Sequence, residues 1–317
     1  MKIFITGAAG YIGVMLAERF AERDDIEEIV CLDKNPITPE LLALPKILYL
    51  RANTSDDTWQ GIAAERKPDV VIHCAWQIRE FYFRKKLHHA WNICGSRNVF
   101  AFALSCARHL IYLSSVAVYG AYSDNRVDRP FTEEDPMRED EYLYGVQKKQ
   151  SEQDLYDICQ KSLSPICATV LRICSVAGPR YKRAKKGFTL QNLLALLPFI
   201  PIANQEWGRQ FVHEEDLMGI IDNVANEPPQ SAHRVFNVAP PMYLRASEIV
   251  HAYGKRAFHV PKELVRLGFF VLRHLSLGRL PTSRGGWRFY VYPVAVDGGA
   301  IKGMLGNNFI QSILYNR

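Results

Sequence analysis

The chain of 317 residues lacks the features that mark several large classes of protein. Its seven cysteines form no CxxC pair and have no histidine at ligand spacing, so we expect reduced thiols, no disulfide and no metal site. Its longest apolar stretches are broken by Pro198 and Pro201 in one case and by Arg266 in another, and they are too short to predict a membrane span. Met1 and Lys2 lead directly into an apolar strand, so we expect no signal peptide and a cytoplasmic protein.

The charge is also modest. A formal net charge of +6, with 48% hydrophobic and 23% charged residues, is ordinary for a chain that folds into one large domain and a smaller lobe. Without a nucleic-acid-binding motif this charge does not predict nucleic acid as a partner. The densest basic cluster is open to two interpretations, a solvated loop or a contact with substrate phosphates, and consists of Arg180, Lys182, Arg183, Lys185 and Lys186.

The first 33 residues organise the rest of the chain. An apolar run at residues 2–6 is followed by TGAAGYIG, in which Gly7, Gly10 and Gly13 allow a sharp turn, close approach to a pyrophosphate and packing of helix on strand. The N–H groups at the start of the following helix can hold phosphates. A second apolar run ends in Asp33, 20 residues past Gly13, where a carboxylate accepts hydrogen bonds from ribose hydroxyls. The pattern predicts a dinucleotide site, for NAD rather than NADP because the carboxylate repels a 2′-phosphate.

TGAAGYIG resembles the fingerprint of the extended short-chain dehydrogenase/reductases, the NAD-dependent epimerase/dehydratase family. The resemblance implies an α/β fold: a Rossmann-type doubly wound parallel sheet with a smaller, discontinuous substrate lobe. We expect residues 1–175 and 209–240 in the dinucleotide-binding domain and residues 176–208 and 241–317 in the lobe. The implied cofactor-binding residues are Gly7, Gly10, Tyr11, Ile12, Gly13, Asp33, Asn53, Ala75, Tyr144 and Lys148.

A strand at residues 109–113 runs into SSVAVYG, which resembles the family's catalytic strand end and makes Ser115 the matching hydroxyl. Tyr144 and Lys148 form a YxxxK motif on a helix predicted from about residue 142 to 160, which places both side chains on one face. The same motif occurs at Tyr82 and at Tyr181, but only Tyr144 follows the strand that leads into Ser115 and begins a long helix.

The chemistry explains these residue types. A free tyrosine has a pKa near 10 and is a poor base at neutral pH. A nearby lysine ammonium and the positive nicotinamide of an oxidised cofactor favour the phenolate, which brings the pKa of Tyr144 toward the working range. Ser115 would hold the substrate oxygen, and Lys148 would also bind the nicotinamide ribose.

Three further motifs suggest substrate contacts by the same resemblance. HCAW is similar to the family's HxAA, with Ala75 beneath the cofactor and Trp76 narrowing the cavity, whereas we expect His73 to be a core residue. LRICSVAGP places Ser175 where nucleotide-sugar enzymes commonly carry Asn. RQFVHEEDL places Arg209 where the family grips the substrate diphosphate.

Two helical segments complete the predictions. A long helix is expected over residues 87–107, and it and the helix after Tyr142 suggest a homodimer by family resemblance. The stretch 261–277 predicts a basic amphipathic helix, for which we favour burial against the smaller lobe over membrane contact.

The leading functional interpretation is NAD-dependent oxidoreduction at a carbinol or ketone carbon, with epimerase-type chemistry on a nucleotide sugar. Val116 and Ala117, after the catalytic hydroxyl, cannot act as the acid and base of the family's dehydratases. Two alternatives remain open: a ketone or aldehyde reductase for an apolar substrate, resembling the dihydroflavonol reductases and 3β-hydroxysteroid dehydrogenases, and a regulator that senses the cofactor without catalysis.

Overall fold

The computed structural model describes residues 1–161, 167–180, 198–226, 233–303 and 309–310. The strands of these residues are β1 (Lys2–Thr6), β2 (Glu28–Asp33), β3 (Ile47–Arg51), β4 (Val70–His73), β5 (His109–Ser115), β6 (Cys167–Ile173), β7 (Ser175–Ala177), β8 (Phe199–Ile202), β9 (Gly208–Arg209), β10 (Phe211–His213), β11 (His233–Val238), β12 (Leu244–Arg245) and β13 (Arg256–His259).

The α-helices of the same residues are α1 (Tyr11–Ala21), α2 (Pro39–Leu42), α3 (Gln60–Glu65), α4 (Lys85–His89), α5 (Gly95–Cys106), α6 (Leu143–Lys161), α7 (Glu214–Asn226), α8 (Ala246–Ala252), α9 (Lys262–Leu275) and α10 (Gly299–Lys302). A π-helical turn at Ala90–Cys94 joins α4 to α5, so the long helix predicted for this region is confirmed. Short 3₁₀ helices occur at Val116–Tyr119 and Gly286–Tyr290.

Seven of the described strands form one parallel sheet in the order β11-β6-β5-β4-β1-β2-β3. The chain runs outward from β1 through β2 and β3, then returns to β4 and runs outward on the other side. The predicted doubly wound fold is therefore confirmed. In such a sheet, ligands bind beyond the carboxyl ends of the strands where the order reverses, which here is between β1 and β4.

Both faces of this sheet are covered. Side chains of β1 alternate between the two cores: Ile3 and Ile5 belong to one buried cluster and Phe4 to the other. Burial on both faces explains why the strands are continuous apolar runs rather than alternating ones. Helices α1 and α7 cover the first face, and α5, with Leu155 of α6, covers the second.

A third buried cluster forms the centre of the smaller lobe, and includes Ile200, Trp207, Leu244 and Ile249. The predicted division of the chain differs from the packing at its end. Ile301 lies in the large core although residues 241–317 were assigned to the lobe, because α10 packs back against β11.

Helix α9 begins and ends close to the predicted bounds, but the prediction that it is buried is wrong. None of its residues is buried, and six of its apolar side chains are exposed: Leu264, Leu267, Phe270, Val271, Leu272 and Leu275. No helix in the described part of the chain is long and apolar enough to cross a bilayer.

A buried ion pair fixes α6 against the sheet. Arg172 of β6 donates from Nη2 and Nε to Glu152 Oε2 at 2.8 and 3.0 Å, and both side chains are about 95% buried. Ser114 donates a short hydrogen bond to the same carboxylate, and Arg172 Nη1 donates to the hydroxyl of Tyr119 at 2.8 Å. The network joins β6, α6 and the end of β5, so it positions the helix that carries Tyr144 and Lys148.

Removing one member of this pair leaves an uncompensated buried charge. We expect Arg172→Met to lower the free energy of unfolding by about 3 to 5 kcal/mol, measured by urea denaturation followed by circular dichroism. Arg172→Met/Glu152→Leu should be more stable than Arg172→Met, because it removes both charges. The matched control is Arg126→Met, which breaks a solvent-exposed pair with Asp128 and should leave stability nearly unchanged.

Candidate active site

The glycine turn between β1 and α1 brings three stretches of backbone unusually close together. Gly7 has φ +73°, and a Cβ on it would lie 2.6 Å from the amide nitrogen of Ala75. A Cβ on Gly13 would lie 2.2 Å from the carbonyl oxygen of Gly7. Side chains are therefore excluded here, and the first turn of α1, at Tyr11 and Ile12, opens directly beside β1 and the end of β4. The arrangement fits the phosphate cradle predicted from the motif.

Asp33 lies at the carboxyl end of β2, beside this turn. Its two carboxylate oxygens accept hydrogen bonds from Ala9 N at 3.1 Å and Asn35 N at 2.8 Å, which fixes the side chain at the rim of a cleft. The cleft brings together five of the ten predicted cofactor residues, namely Gly7, Gly10, Asp33, Asn53 and Ala75, and Trp76 lines it as well. The lining also includes Trp91, whose ring centroid is 4.7 Å from Lys34 Nζ and which the motifs did not predict.

The predicted catalytic hydroxyl and phenol meet where β5 ends. The Ser115 hydroxyl accepts from Ala117 N at 3.2 Å, and it lies close enough to Tyr144 to lower the pKa of that phenol. This proximity depends on Gly145, where a Cβ would lie 2.6 Å from Ala117 O. The glycine within the YxxxK motif therefore lets α6 approach the strand end, a function that the sequence pattern did not indicate.

Burial dominates the electrostatics of Tyr144. It raises the pKa of the phenol above its ordinary value, although the neighbouring Ser115 hydroxyl acts in the opposite direction. That Lys148 lowers this pKa stays a prediction for the enzyme with its cofactor. In the structure the lysine amine donates to Leu113 O at 2.6 Å.

Lys148 is almost completely buried beneath two aromatic rings. Its Nζ lies 3.6 Å from the ring centroid of Trp76 and 4.7 Å from that of Tyr112. Burial lowers the pKa of Lys148 to about 7, against the opposing effect of Glu152. At neutral pH the amine is therefore divided between its charged and neutral forms.

Trp76 lines the cleft and also lies next to Lys148 and Tyr144. Its ring covers Lys148, and its centroid is 6.5 Å from that of Tyr144. The next residue, Gln77, is fixed in both directions by Asn92, which accepts from Gln77 N at 2.8 Å and donates to Gln77 O at 3.1 Å. Asn92 also donates to Gln147 of α6 at 2.8 Å, so the π-helical turn holds the Trp76 segment against the catalytic helix.

Arg209, which was predicted as the first residue of the returning dinucleotide-binding segment, packs with residues of the smaller lobe. Its Nη2 donates to Phe289 O at 3.0 Å, and its guanidinium carbon lies 5.2 Å from the ring centroid of Tyr290. Tyr142 completes the connection, because its ring centroid is 5.1 Å from Phe289 and 5.7 Å from Tyr144. Tyr142 was not predicted, and no motif in the sequence indicated it.

The remaining candidates are placed differently. Ser175 is paired in register with Phe211, two residues beyond Arg209. It therefore lies near β9, the strand that carries Arg209. Arg288 is bound to Asp140 at 3.0 Å and to Glu141 at 2.8 Å.

The basic cluster at 180–186 lies outside the described residues apart from Arg180, which forms an ion pair with Glu18. His73 hydrogen-bonds to Thr6 at 2.7 Å and Ser96 at 2.9 Å. Burial lowers the pKa of His73 to about 3, so it is a neutral core histidine as predicted. All seven cysteines are free thiols. The described residues contain no group of three or more His, Cys, Asp or Glu side chains that could hold a metal ion.

Comparison with known proteins agrees with the family resemblance of the sequence motifs. A sequence model of the NAD dependent epimerase/dehydratase family matches residues 3–239. Protein CapI of Staphylococcus aureus is 25% identical over 244 residues, which cover 72% of this chain and 70% of the relative. A probable UDP-glucuronate 4-epimerase of Rhizobium meliloti (strain 1021) is 26% identical over 250 residues, covering 74% of this chain and 71% of the relative. A structure of UDP-glucose 4-epimerase with UDP-glucose, from Thermotoga maritima, has the same fold: its TM-score is 0.74 at 19% identity, covering 99% of this chain and 96% of that one.

The buried amine of Lys148 predicts a pH dependence of stability. An unfolded lysine has a pKa near 10.4, whereas that of Lys148 is about 7 when folded, so between these values the unfolded chain binds more protons. Stability then rises with pH. We expect the free energy of unfolding of the wild type to increase between pH 7 and 8.5, relative to that of Lys148→Met, with a slope difference approaching about 1.4 kcal/mol per pH unit.

Urea denaturation of both proteins across this window measures the difference, and below pH 6 the two slopes should converge because folded Lys148 is then also protonated. Lys149→Met, at the next position of α6, leaves Lys148 in place and should keep the wild-type slope. Equal slopes for the wild type and Lys148→Met would contradict the assignment.

Proposed function

Because the chain belongs to the NAD dependent epimerase/dehydratase family, it is an enzyme that uses NAD, and we propose that it epimerises a nucleotide sugar at a carbinol carbon. The observation that carries this proposal is the contact of Ser115 with Tyr144 at the carboxyl edge of the sheet. That pair lies beside a cleft formed by the glycine turn and is connected to Arg209 through Tyr142. An epimerase needs these three functions together: a dinucleotide site, a proton-transfer group and a cation for the substrate's phosphates.

When bound, NAD supplies an acceptor and later a donor of hydride at the reacting carbon. We assign the glycine turn, with Gly10, Tyr11, Ile12 and Gly13, to the pyrophosphate, and Asp33 and Asn53 to the adenosine end. Ala75 passes beneath the cofactor against Gly7. The close backbone contacts at Gly7 and Gly13 support this assignment, because they keep the turn tight and so hold the start of α1 beside the cleft.

Tyr144 is the proposed proton-transfer group. Its phenol would take the proton from the substrate hydroxyl and later return it, while the Ser115 hydroxyl donates a hydrogen bond to the same oxygen. Burial favours the neutral phenol, so the phenolate needs positive charge next to it. A positive nicotinamide ring provides one such charge, and Lys148 provides another when its amine leaves Leu113 for the ribose.

The nucleotide sugar is proposed from Arg209 and from two relatives. The probable UDP-glucuronate 4-epimerase and the UDP-glucose 4-epimerase carry UDP-sugars in their names. Arg209 supplies a guanidinium at the lobe side of the site, which suits a diphosphate. Trp76 and Ser175 would shape the sugar-binding side of the cavity. We expect no nucleic acid partner.

Location and assembly are part of the same proposal. Seven free thiols suit a reducing compartment such as the cytoplasm. A homodimer would use the outer faces of α5 and α6, which lie side by side and are linked by Arg97 and Asp154 at 2.8 Å. Tyr156 of α6 leaves 45% of its surface exposed there, which a second copy could cover.

We expect Tyr144→Phe to slow turnover of UDP-glucose or UDP-glucuronate by about 10² to 10⁴, because it removes the proton-transfer group and keeps the ring. Calorimetric titration should show that NAD still binds. The matched control is Tyr82→Phe, which changes another YxxxK tyrosine and should keep near-normal turnover. If Tyr82→Phe inactivates the enzyme and Tyr144→Phe does not, the site has been misplaced.

We expect Arg209→Ala to weaken binding of the UDP-sugar by about tenfold or more without changing the affinity for NAD, because a charge-assisted contact with phosphate is lost. Arg245→Ala, which removes an exposed arginine from the strand paired with Arg209, is the control. Unchanged substrate affinity in Arg209→Ala, together with turnover of apolar ketones by the wild type, would favour the reductase alternative.

A further inference from the structure

Helix α9 presents a continuous apolar stripe to solvent. Leu264, Leu267, Val271 and Leu275 are spaced three or four residues apart and share one face, and Phe270 lies at its edge. These five side chains are between 40% and 79% exposed. Contiguous exposed apolar surface on this scale marks an interaction site rather than ordinary surface.

The opposite face anchors the helix to the protein, so the stripe is held outward. Phe269 packs on Tyr290 with ring centroids 5.1 Å apart. Arg273 forms a two-pronged ion pair with Glu80 at 2.6 and 2.8 Å, and both side chains are more than 80% buried. His274, which lies beside Phe270 at the edge of the stripe, also hydrogen-bonds with Tyr82. The stripe is therefore a fixed feature of the fold.

The segment that anchors the helix extends the same surface. Phe83 is 78% exposed, and its ring centroid lies 4.5 Å from that of Tyr82. Ile78 at the start of the segment is 54% exposed, and Arg79 next to it donates to the carbonyl oxygen of Arg279 at 2.8 Å. We call residues 78–86 and 262–279 together the α9 surface.

The α9 surface is strongly basic. It contains eight lysines and arginines and two glutamates, a formal net charge of +6, which equals the net charge of the whole chain. One of the two glutamates, Glu80, is already neutralised by Arg273. Exposed cations of the α9 surface include Arg84, Lys85 and Lys86, which follow the exposed Phe83 directly, and Lys262 and Arg266, which lie on the face of the helix opposite the stripe.

We propose that the α9 surface docks on an anionic lipid bilayer, with the apolar stripe at the boundary of headgroups and acyl chains. An exposed stripe of Leu and Phe within a surface of net charge +6 has the chemistry that lies in a membrane interface. Each cation near an anionic leaflet strengthens the attraction. A second copy of this chain fits less well, because a twofold contact through this surface would bring two clusters of charge +6 together. The inference goes beyond the proposed function and does not depend on it.

The test is sedimentation of the full-length protein with vesicles. One set contains phosphatidylcholine alone, and the other contains phosphatidylcholine and phosphatidylglycerol at about 7:3. We expect the wild type to sediment with the anionic vesicles, to bind phosphatidylcholine vesicles at least about tenfold more weakly, and to be partly released by 0.5 M NaCl, because salt screens the cations.

Two variants separate the contributions of the surface. Leu267→Ser/Leu275→Ser should weaken binding to anionic vesicles by about tenfold or more, since it removes apolar contact without touching the core. Arg84→Gln, beside the exposed Phe83, should weaken binding by about fivefold, the effect of one surface cation. The matched control is Leu42→Ser/Ile62→Ser, which changes two apolar side chains that are 55% and 46% exposed on α2 and α3, and it should bind like the wild type.

Failure of the wild type to sediment with anionic vesicles overturns the proposal, as does an equal loss of binding in the Leu42→Ser/Ile62→Ser control. Sedimentation velocity tests whether a second copy of this chain covers the α9 surface instead. If the wild type self-associates and Leu267→Ser/Leu275→Ser dissociates it, a second copy covers the surface and the bilayer proposal is wrong.

Discussion

The amine of Lys148 is buried away from nearly all water. The carbonyl of Leu113 accepts its hydrogen bond, and the faces of Trp76 and Tyr112 cover it. An amine with a pKa of about 7 can be charged or discharged by a small change in its surroundings, such as the arrival of a hydroxyl or a phosphate. The buried Arg172 and Glu152 hold α6 in the position where this is possible, so the electrostatics of the site depend on a charge pair outside it.

The sequence predicted the parts of this structure that depend on local pattern. Three glycines between an apolar run and a helix start have few alternatives to a tight turn, because a Cβ at Gly7 or Gly13 would meet backbone. Apolar runs predicted strands buried on both faces, and parallel strands bring their carboxyl ends to one edge. Ser115 and Tyr144 could therefore be expected to meet, although they are 29 residues apart.

What the sequence could not predict depends on which distant segments pack together. The position of Trp76 over Lys148 requires the bonds of Asn92 to Gln77, and the link from Arg209 to Tyr144 runs through Phe289. Helix α9 shows the limit most clearly. The sequence pattern shows which residues of a helix form an apolar stripe, but not which face of the helix packs against the rest of the protein. In α9 the packed face carries Phe269 and Arg273, and the apolar stripe is left exposed.

The return of the chain's end to the large core has a consequence for how the protein is made. Ile301 and Phe309 pack with side chains of the sheet's first face, and β11 completes the sheet beside β6. During vectorial synthesis the N-terminal half therefore leaves the ribosome with an unpaired strand edge and an open core. Nascent chains should depend on protection from aggregation until residues 233–309 have emerged. A fragment cut at residue 239, where the family match ends, would keep β11 but lack the side chains that close the core over it.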